Sequence, residues 1–348
     1  MKPALQHDSP VRDEKELLAS VDLCDARGNL SRAAVGWSRR PLHRCNLRGH
    51  WPRKKRWNYW AITSDKYLFS ATVAHIDYLA LASVYFLDFG IGRFVEQTVT
   101  KPLGLGVSLP ETVTGDIKFR DRQMRVSMAD SGSGARLRAA SRRFGGAELD
   151  AKLEVSRPAG HETLNVVIPW SRDRFQFTSK QNCLPASGEV RIGGETYTFE
   201  PGNSFACLDF GRGVWRYDCF WNWGAASGVQ DGRTVGLNLG GAWTDGTGMT
   251  ENGICVDGRL SKISEDLSFQ YDRSDFKQPW SVRSAGSARV DLRFVPFFER
   301  VAKTDLLVVR SEVHQVFGHY SGTVVPDGGE ALPLDGLLGW VEQHQARW

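Results

Sequence analysis

Along most of the chain, apolar and polar residues alternate with a period of two, in short runs broken by glycine, aspartate, asparagine and serine. KYLFSATVAHIDYLALASVYFLDF, QMRVSM, AELDAKLEV, ETLNVVIPW, RFQFTSK, SGEVRIGGETYTF, RTVGLNLGGAW, NGICVDGRLSKI, ARVDLRFVPF and LLVVRSEVHQVFGHYSGTVV are such runs. Successive side chains of a strand point to opposite faces, so this pattern predicts half-buried strands. Ser133-Gly134, Gly145-Gly146, Gly193-Gly194, Asp231-Gly232, Asp257-Gly258 and Asp327-Gly328 supply the turns. Many short strands with such turns predict an all-β barrel or sandwich. Helical spacing is rare. GRFVEQTVTK (92–101) is the best candidate, and DEKELL (13–18) offers one turn.

The chain also echoes itself. Trp57-Asn58 and Trp221-Asn222 lie 164 residues apart, and each leads through a polar turn into further strand. A period of that length suits two barrel-sized halves better than a solenoid repeat. The expected division is a flexible polar arm over residues 1–20, an N-terminal β-domain over 21–200 and a C-terminal β-domain over 201–348.

Composition bounds the partners. With 41% apolar and 24% charged residues, the balance is that of a globular protein. The net charge of +4 selects nothing, but its distribution is uneven. Between Asp25 and Asp65 there are eight arginines, two lysines and no acidic residue. Within that window RGHWPRKKRWNYW (48–60) interleaves cations with aromatics. The regular strand that follows at once favours reading the stretch as the solvated start of a strand; beside that, Arg53, Lys54, Lys55 and Arg56 are candidates for an anionic membrane surface, ahead of nucleic acid. The six cysteines form no C-x-x-C pair, which argues for free buried thiols, a reducing cytoplasmic setting and no zinc site. No apolar leader precedes residue 20, and Leu79–Leu87 is too short to span a bilayer as a helix.

Candidate chemistry concentrates between residues 209 and 258, and thirteen of the 36 glycines fall in 201–260. Here DFGRG, WNWG, GLNLGGAW and TDGTGMTEN set Trp215, Trp221, Trp223 and Trp243 among Asp209, Arg212, Asn222, Asn238 and Glu251. An apolar wall with a few polar groups is the usual form of a small-molecule site. The same residues could equally be barrel filler, because tryptophan and glycine alternate as large and small packing units. GLNLGG lacks the G-x-G-x-x-G spacing of a phosphate cradle, and no G-x-S-x-G elbow occurs. His75-x-Asp77 and Glu342-x-His344 are same-face pairs on strands, and His314 and His319 lie nearby in the last strands. No H-x-H or H-E-x-x-H spacing points to a metal, so neither metal nor cofactor is expected.

Seven segments carry a resemblance. GWSRRP (36–41), RKKRWNYW (53–60), IPWSRDRFQFTSKQNCLPASGEV (168–190), LDFGRGVWRY (208–217), FWNWGAASG (220–228), VGLNLGGAWTDGTGMTEN (235–252) and GWVEQHQARW (339–348) resemble domain-of-unknown-function family 2804. More distantly, W-x-W-G followed by a G-x-N-x-G strand is similar to the carotenoid hydratase, AttH-like and tocopherol cyclase group. That resemblance implies two lipocalin-like, calycin-type antiparallel barrels acting on isoprenoid or other hydrophobic compounds. The aspartate–histidine pair that precedes W-G in that group is replaced here by Trp221-Asn222.

The resulting expectation is a binder of a hydrophobic, lipid-like or isoprenoid-like molecule, with catalysis left open. Asp209 and Glu251 are the candidate acids for hydration, isomerisation or cyclisation. Arg212, Trp215, Trp221, Asn222, Trp223, Asn238 and Trp243 are the candidate ligand contacts. Because Trp57-Asn58 shares the W-N pattern, the emphasis falls on Asp209, Arg212 and Asn238. Two other readings stand beside it: a non-catalytic scaffold or membrane-peripheral protein using the basic stretch, and a carbohydrate-active sandwich using Asp245 and Glu251.

Overall fold

The computed structural model describes residues 11–306 and 309–348. Among them the only helical element is a 3-10 turn, Arg32–Ala34. The strands are β1 (Val21–Asp22), β2 (Trp37–Ser38), β3 (His43–Arg44), β4 (Lys54–Thr63), β5 (Tyr67–His75), β6 (Leu79–Asp88), β7 (Arg93–Pro102), β8 (Gly115–Arg120), β9 (Met124–Asp130), β10 (Gly134–Phe144), β11 (Ala147–Ser156), β12 (Leu164–Pro169), β13 (Phe175–Ile192), β14 (Glu195–Phe199) and β15 (Phe205–Val214). They continue as β16 (Asp218–Gln230), β17 (Arg233–Gly241), β18 (Asn252–Val256), β19 (Arg259–Ile263), β20 (Leu267–Gln270), β21 (Trp280–Ser284), β22 (Val290–Leu306), β23 (Val309–Val324) and β24 (Leu332–Arg347).

Neither expected helix forms. GRFVEQTVTK is strand β7, paired with β6 along its whole length. Most of its residues are half-buried, so the sequence shows little of the alternation that marks a strand. DEKELL contributes an isolated bridge from Glu16 to Trp37.

The described chain forms two compact units: Glu16–Arg216, and residues 11–15 together with Tyr217–Trp348. Each is a curled, lipocalin-like antiparallel sheet. In the first, the order is β7-β6-β5-β4-β15-β13-β11-β10-β9-β8; in the second, β19-β18-β17-β16-β24-β23-β22-β21-β20. Both follow one plan. A four-strand meander runs outward from β4 or β16, and the free side of that strand is taken by the unit's last strand, β15 or β24. This plan moves the domain boundary from residue 200 to 216, because β15 lies between β4 and β13 in the middle of the first sheet.

The expected arm is also partly built in. Residues 1–10 lie outside the described residues, but Glu14 and Leu17 are buried. Glu14 belongs to the second unit, where it pairs with Lys262.

Alternation sets the cores. In β10 the inward Ala135, Leu137, Ala139, Ser141 and Phe144 meet Leu149, Ala151, Leu153 and Val155 of β11, while Arg136, Arg138, Ala140 and Arg142 between them face solvent. The second core gathers Leu237, Ile254, Trp280, Phe294, Val316 and Val341. All six cysteines are free and buried. No helix among the described residues is long and apolar enough to cross a membrane.

Candidate functional site

The W-N echo marks equivalent strands. Trp57-Asn58-Tyr59 lies on β4 and Trp221-Asn222-Trp223 on β16. The odd-numbered aromatics project from the face turned away from the unit's core, and the asparagines project toward it.

On that outward face each tryptophan holds a carboxylate. The Trp57 indole N–H donates to Asp209 Oδ2 at 3.1 Å, and the Trp221 indole N–H donates to Glu342 Oε1 at 3.1 Å. The register is the same in both units. Trp57 pairs with Gly211 and Trp221 with His344, and each acid sits two residues earlier on the closing strand. Tyr59 pairs with Asp209 as Trp223 pairs with Glu342. Glu342 is therefore the counterpart of Asp209.

The surroundings of the two acids differ. Across from Asp209 on β13 is Lys180, whose ammonium lies 3.0 Å from Oδ1, and Thr178 donates a further hydrogen bond at 3.2 Å. That carboxylate is thus neutralised by a lysine that is only 6% exposed. Across from Glu342 on β23 is Gln315, an amide. In place of Gly211 stands His344, with its ring centroid 4.0 Å from that of Trp221. Its Nδ1 is 3.6 Å from Glu342 Oε1, and its Nε2 is 2.8 Å from Ser311 Oγ. A carboxylate, an imidazole and a hydroxyl therefore stand in line beside an indole face.

A second cluster on the same face of β16 involves Trp223, whose indole donates to Asn238 Oδ1 at 2.9 Å. Asn238 in turn donates to the Glu251 carbonyl at 2.5 Å, and the Trp243 indole donates to Glu251 Oε1 at 2.6 Å. Glu251 is 2% exposed. A Cβ on Gly240 would run into the Glu251 side chain, which is why β17 carries glycine there. Trp221, Trp223, Asn238, Trp243 and Glu251 thus come together in the second unit, beside the same-face pair Glu342 and His344 and the unforeseen Ser311.

The other expected residues separate. Asp209 and Arg212 point to opposite faces of β15, so they do not form one site. Arg212 is 1% exposed and lies with the core residues Leu208, Phe210 and Val214. It donates to the carbonyls of Pro110 (3.1 Å), Trp57 (2.7 Å) and Gly211 (2.8 Å) and to Asn58 Oδ1 (2.7 Å), and it stacks over Phe210. Burial pushes its pKa down to about 9. Arg212 thus clamps three backbone carbonyls and the Asn58 side chain from inside the first unit. Trp215 remains with the first unit, 2% exposed, donating to Gln176 at 2.7 Å and packed on Trp57 and Trp170. The glycines of DFGRG serve the same packing. Added Cβ atoms on Gly211 and Gly213 would strike Trp57 and Gln176. Asn222 points inward and donates to Tyr271 Oη and to the Glu342 carbonyl.

The basic stretch is no open cationic patch. Lys55 is fully buried, with its ammonium over the Tyr78 ring. Lys54 and Arg56 both reach the buried Asp77, at 3.4 and 3.1 Å. His75 and Asp77 form no same-face pair, because Asp77 lies in a turn at φ 68°. His314 is held by Glu299 at Nδ1 (2.7 Å) and by Glu312 at Nε2 (2.9 Å), so both ring nitrogens are engaged. Asp245 is exposed while Glu251 is buried, so they are not carboxylates facing each other across a cleft.

Two lipocalin-like units in tandem, each with a tryptophan-held acid on its closing strand, define the class of protein. The family model for DUF2804, a domain of unknown function, matches residues 14–348, and the chain belongs to that family. No curated protein matches it. Among solved structures it is similar to kievitone hydratase from Nectria haematococca, with a TM-score of 0.53 and 10% identity over 84% of this chain and 88% of that one. A putative AttH from Nitrosomonas europaea matches with a TM-score of 0.49 and 14% identity over 84% and 92%. CghA, crystallised with Sch210972, matches with a TM-score of 0.49 and 11% identity over 85% and 89%.

Proposed function

We propose that the protein binds a hydrophobic small molecule, lipid-like or isoprenoid-like, against the tryptophan wall of the second unit and transfers a proton to or from it through His344. The observation that carries this is the unequal duplication. The same indole-held carboxylate occurs in both units, but a lysine neutralises it only in the first, and a histidine accompanies it only in the second. An imidazole is the side chain best suited to give and take protons near neutral pH. Glu342 stabilises the imidazolium, Ser311 fixes the ring, and the Trp221 face suits a cationic centre on the ligand. The reaction class is addition of water to a carbon–carbon double bond. His344 gives a proton to one carbon, the water oxygen bonds to the other, and the proton released by that water returns to the imidazole. The fold shared with kievitone hydratase, whose name states a hydration, supports this class. Glu251, fixed by Trp243, is the alternative acid.

Native mass spectrometry of the purified protein would identify a co-purified ligand, which is then incubated with the enzyme in H2(18)O. Gain of one labelled water by wild type, lost in His344→Gln with ligand binding retained, is the expected result. Undiminished turnover in His344→Gln, or loss only in Glu251→Gln, would overturn the assignment to His344. Binding without turnover by wild type would leave a non-catalytic carrier.

A further inference from the structure

The outward face of β8–β11 carries an excess of one charge. Two of its rows across the sheet are mainly basic, beside a mixed row of Asp116, Ala129, Arg136 and Glu154. One reads Lys118, Ser127, Arg138, Lys152; the next reads Arg120, Arg125, Ala140, Asp150. Arg122 in the β8–β9 turn and Arg142 on β10 extend the patch, and all of these cations are exposed. Lys152 pairs with Asp150 at 2.7 Å. Among the described residues Lys118, Arg120, Arg122, Arg125, Arg138 and Arg142 make no ion pair within the chain.

The arrangement is unfavourable for the isolated sheet. Arg120 sits directly opposite Arg125, and Arg138 opposite Lys152. Like charges facing each other across strands destabilise the pair. Charge on an edge strand such as β8 discourages sheet-to-sheet association, but that reason does not reach Arg138 or Arg142 on the interior strand β10. Carboxylates such as Asp116, Asp150 and Glu154 share the face, but the cations outnumber them, and that excess fits a polyanionic partner.

The chemistry of the face narrows that partner. We propose that it docks on the phosphate plane of an anionic phospholipid membrane. Arginine forks match phosphate oxygens in pairs. Six cations, from Lys118 to Lys152, outnumber the two carboxylates Asp121 and Asp150 around a shallow depression of about 900 Å³, roomy enough for lipid headgroups. The strand positions on this face carry no aromatic residue, which removes the stacking platform of single-strand nucleic-acid binders. They also carry no large apolar side chain, so contact is adsorption to headgroups without insertion. Laterally mobile lipids can gather beneath such a face. This inference is independent of the proton-transfer reading.

The test is sedimentation of the full chain with vesicles of phosphatidylcholine, with and without phosphatidylglycerol. Binding is expected only with phosphatidylglycerol and is expected to vanish near 1 M salt, where the screening length falls to about 3 Å. Arg120→Ser/Arg125→Ser/Arg138→Ser should lower the partition coefficient about a hundredfold, each basic residue near the leaflet adding its own increment. A control with the same charge change at the exposed Arg233, Arg283 and Arg310 should stay within severalfold of wild type. Equal binding by the triple variant, equal binding to neutral vesicles, no vesicle binding at low salt, or binding to duplex DNA in preference to vesicles would overturn the proposal.

Discussion

Removing the charge of Glu14 isolates a buried cation. Its side chain is fully buried, and Oε2 lies 2.8 Å from the ammonium of Lys262, itself only 4% exposed. Oε1 accepts from the Thr250 N–H and hydroxyl at 3.0 and 2.9 Å. Burial lowers the Lys262 pKa to about 8 against the pull of Glu14. The sign follows from linkage. Between pH 8 and 10.5 the unfolded chain holds this proton and the folded chain releases it, so the lysine's contribution to stability rises with pH across that window. A shift of that size corresponds to about 3 kcal/mol. In Glu14→Gln the main opposition to desolvation is gone and the pKa falls further. Breaking a buried pair from one side costs about 3–5 kcal/mol near neutrality. The loss should shrink as the pH climbs and Lys262 sheds its proton. Lys262→Met should lose the pH-dependent rise, and Glu14→Gln/Lys262→Met should be less destabilised than the two single losses added together. Hydrogen exchange of amides in β18 and β19, measured between pH 7 and 10, reads the opening free energy of this region. Single-variant losses below about 1 kcal/mol, or strictly additive ones, would refute the reasoning.

Three further outcomes are expected. Arg212→Lys should destabilise the first unit by about 2–4 kcal/mol in urea unfolding, because an ammonium cannot serve the acceptors that the guanidinium fork bridges. Lys180→Gln, which copies the second unit's Gln315, should cost about 1–3 kcal/mol by leaving the Asp209 carboxylate without its cation, and Asp209→Asn in the same chain should restore part of the loss. His43 is 2% exposed and burial lowers its pKa, so its ring signals should not titrate at the usual value near 6.5. The unfolded chain then takes up this proton first, and the associated stability is lost as the pH falls below about 6.5.

What the sequence made legible was local. Alternation and glycine turns announced hairpins such as β10–β11 and β16–β17, and the W-N echo marked equivalent strands. The placement of Arg212 was also legible in principle, since a period of two puts it with Leu208, Phe210 and Val214 and turns Asp209 away. Grouping Asp209 and Arg212 by their nearness in the chain concealed that parity. The match between Asp209 and Glu342 lay beyond local pattern. It depends on the pairing of β15 with β4 and of β24 with β16, between segments more than a hundred residues apart, and strand register is settled only when sheets close. Strand β7 was misread because its half-buried residues show neither period clearly.

The position of Glu14 also bears on synthesis. Its segment is made before the first unit, yet its partners Thr250 and Lys262 emerge only after residues 16–216 of that unit have been made. The first unit can therefore fold while the acid waits in solvent. Closing so large a loop carries a logarithmic entropy cost that a buried contact of this strength can offset. Glu14 thus precedes the first unit in the chain but finds its place only after the second sheet has formed around Thr250 and Lys262.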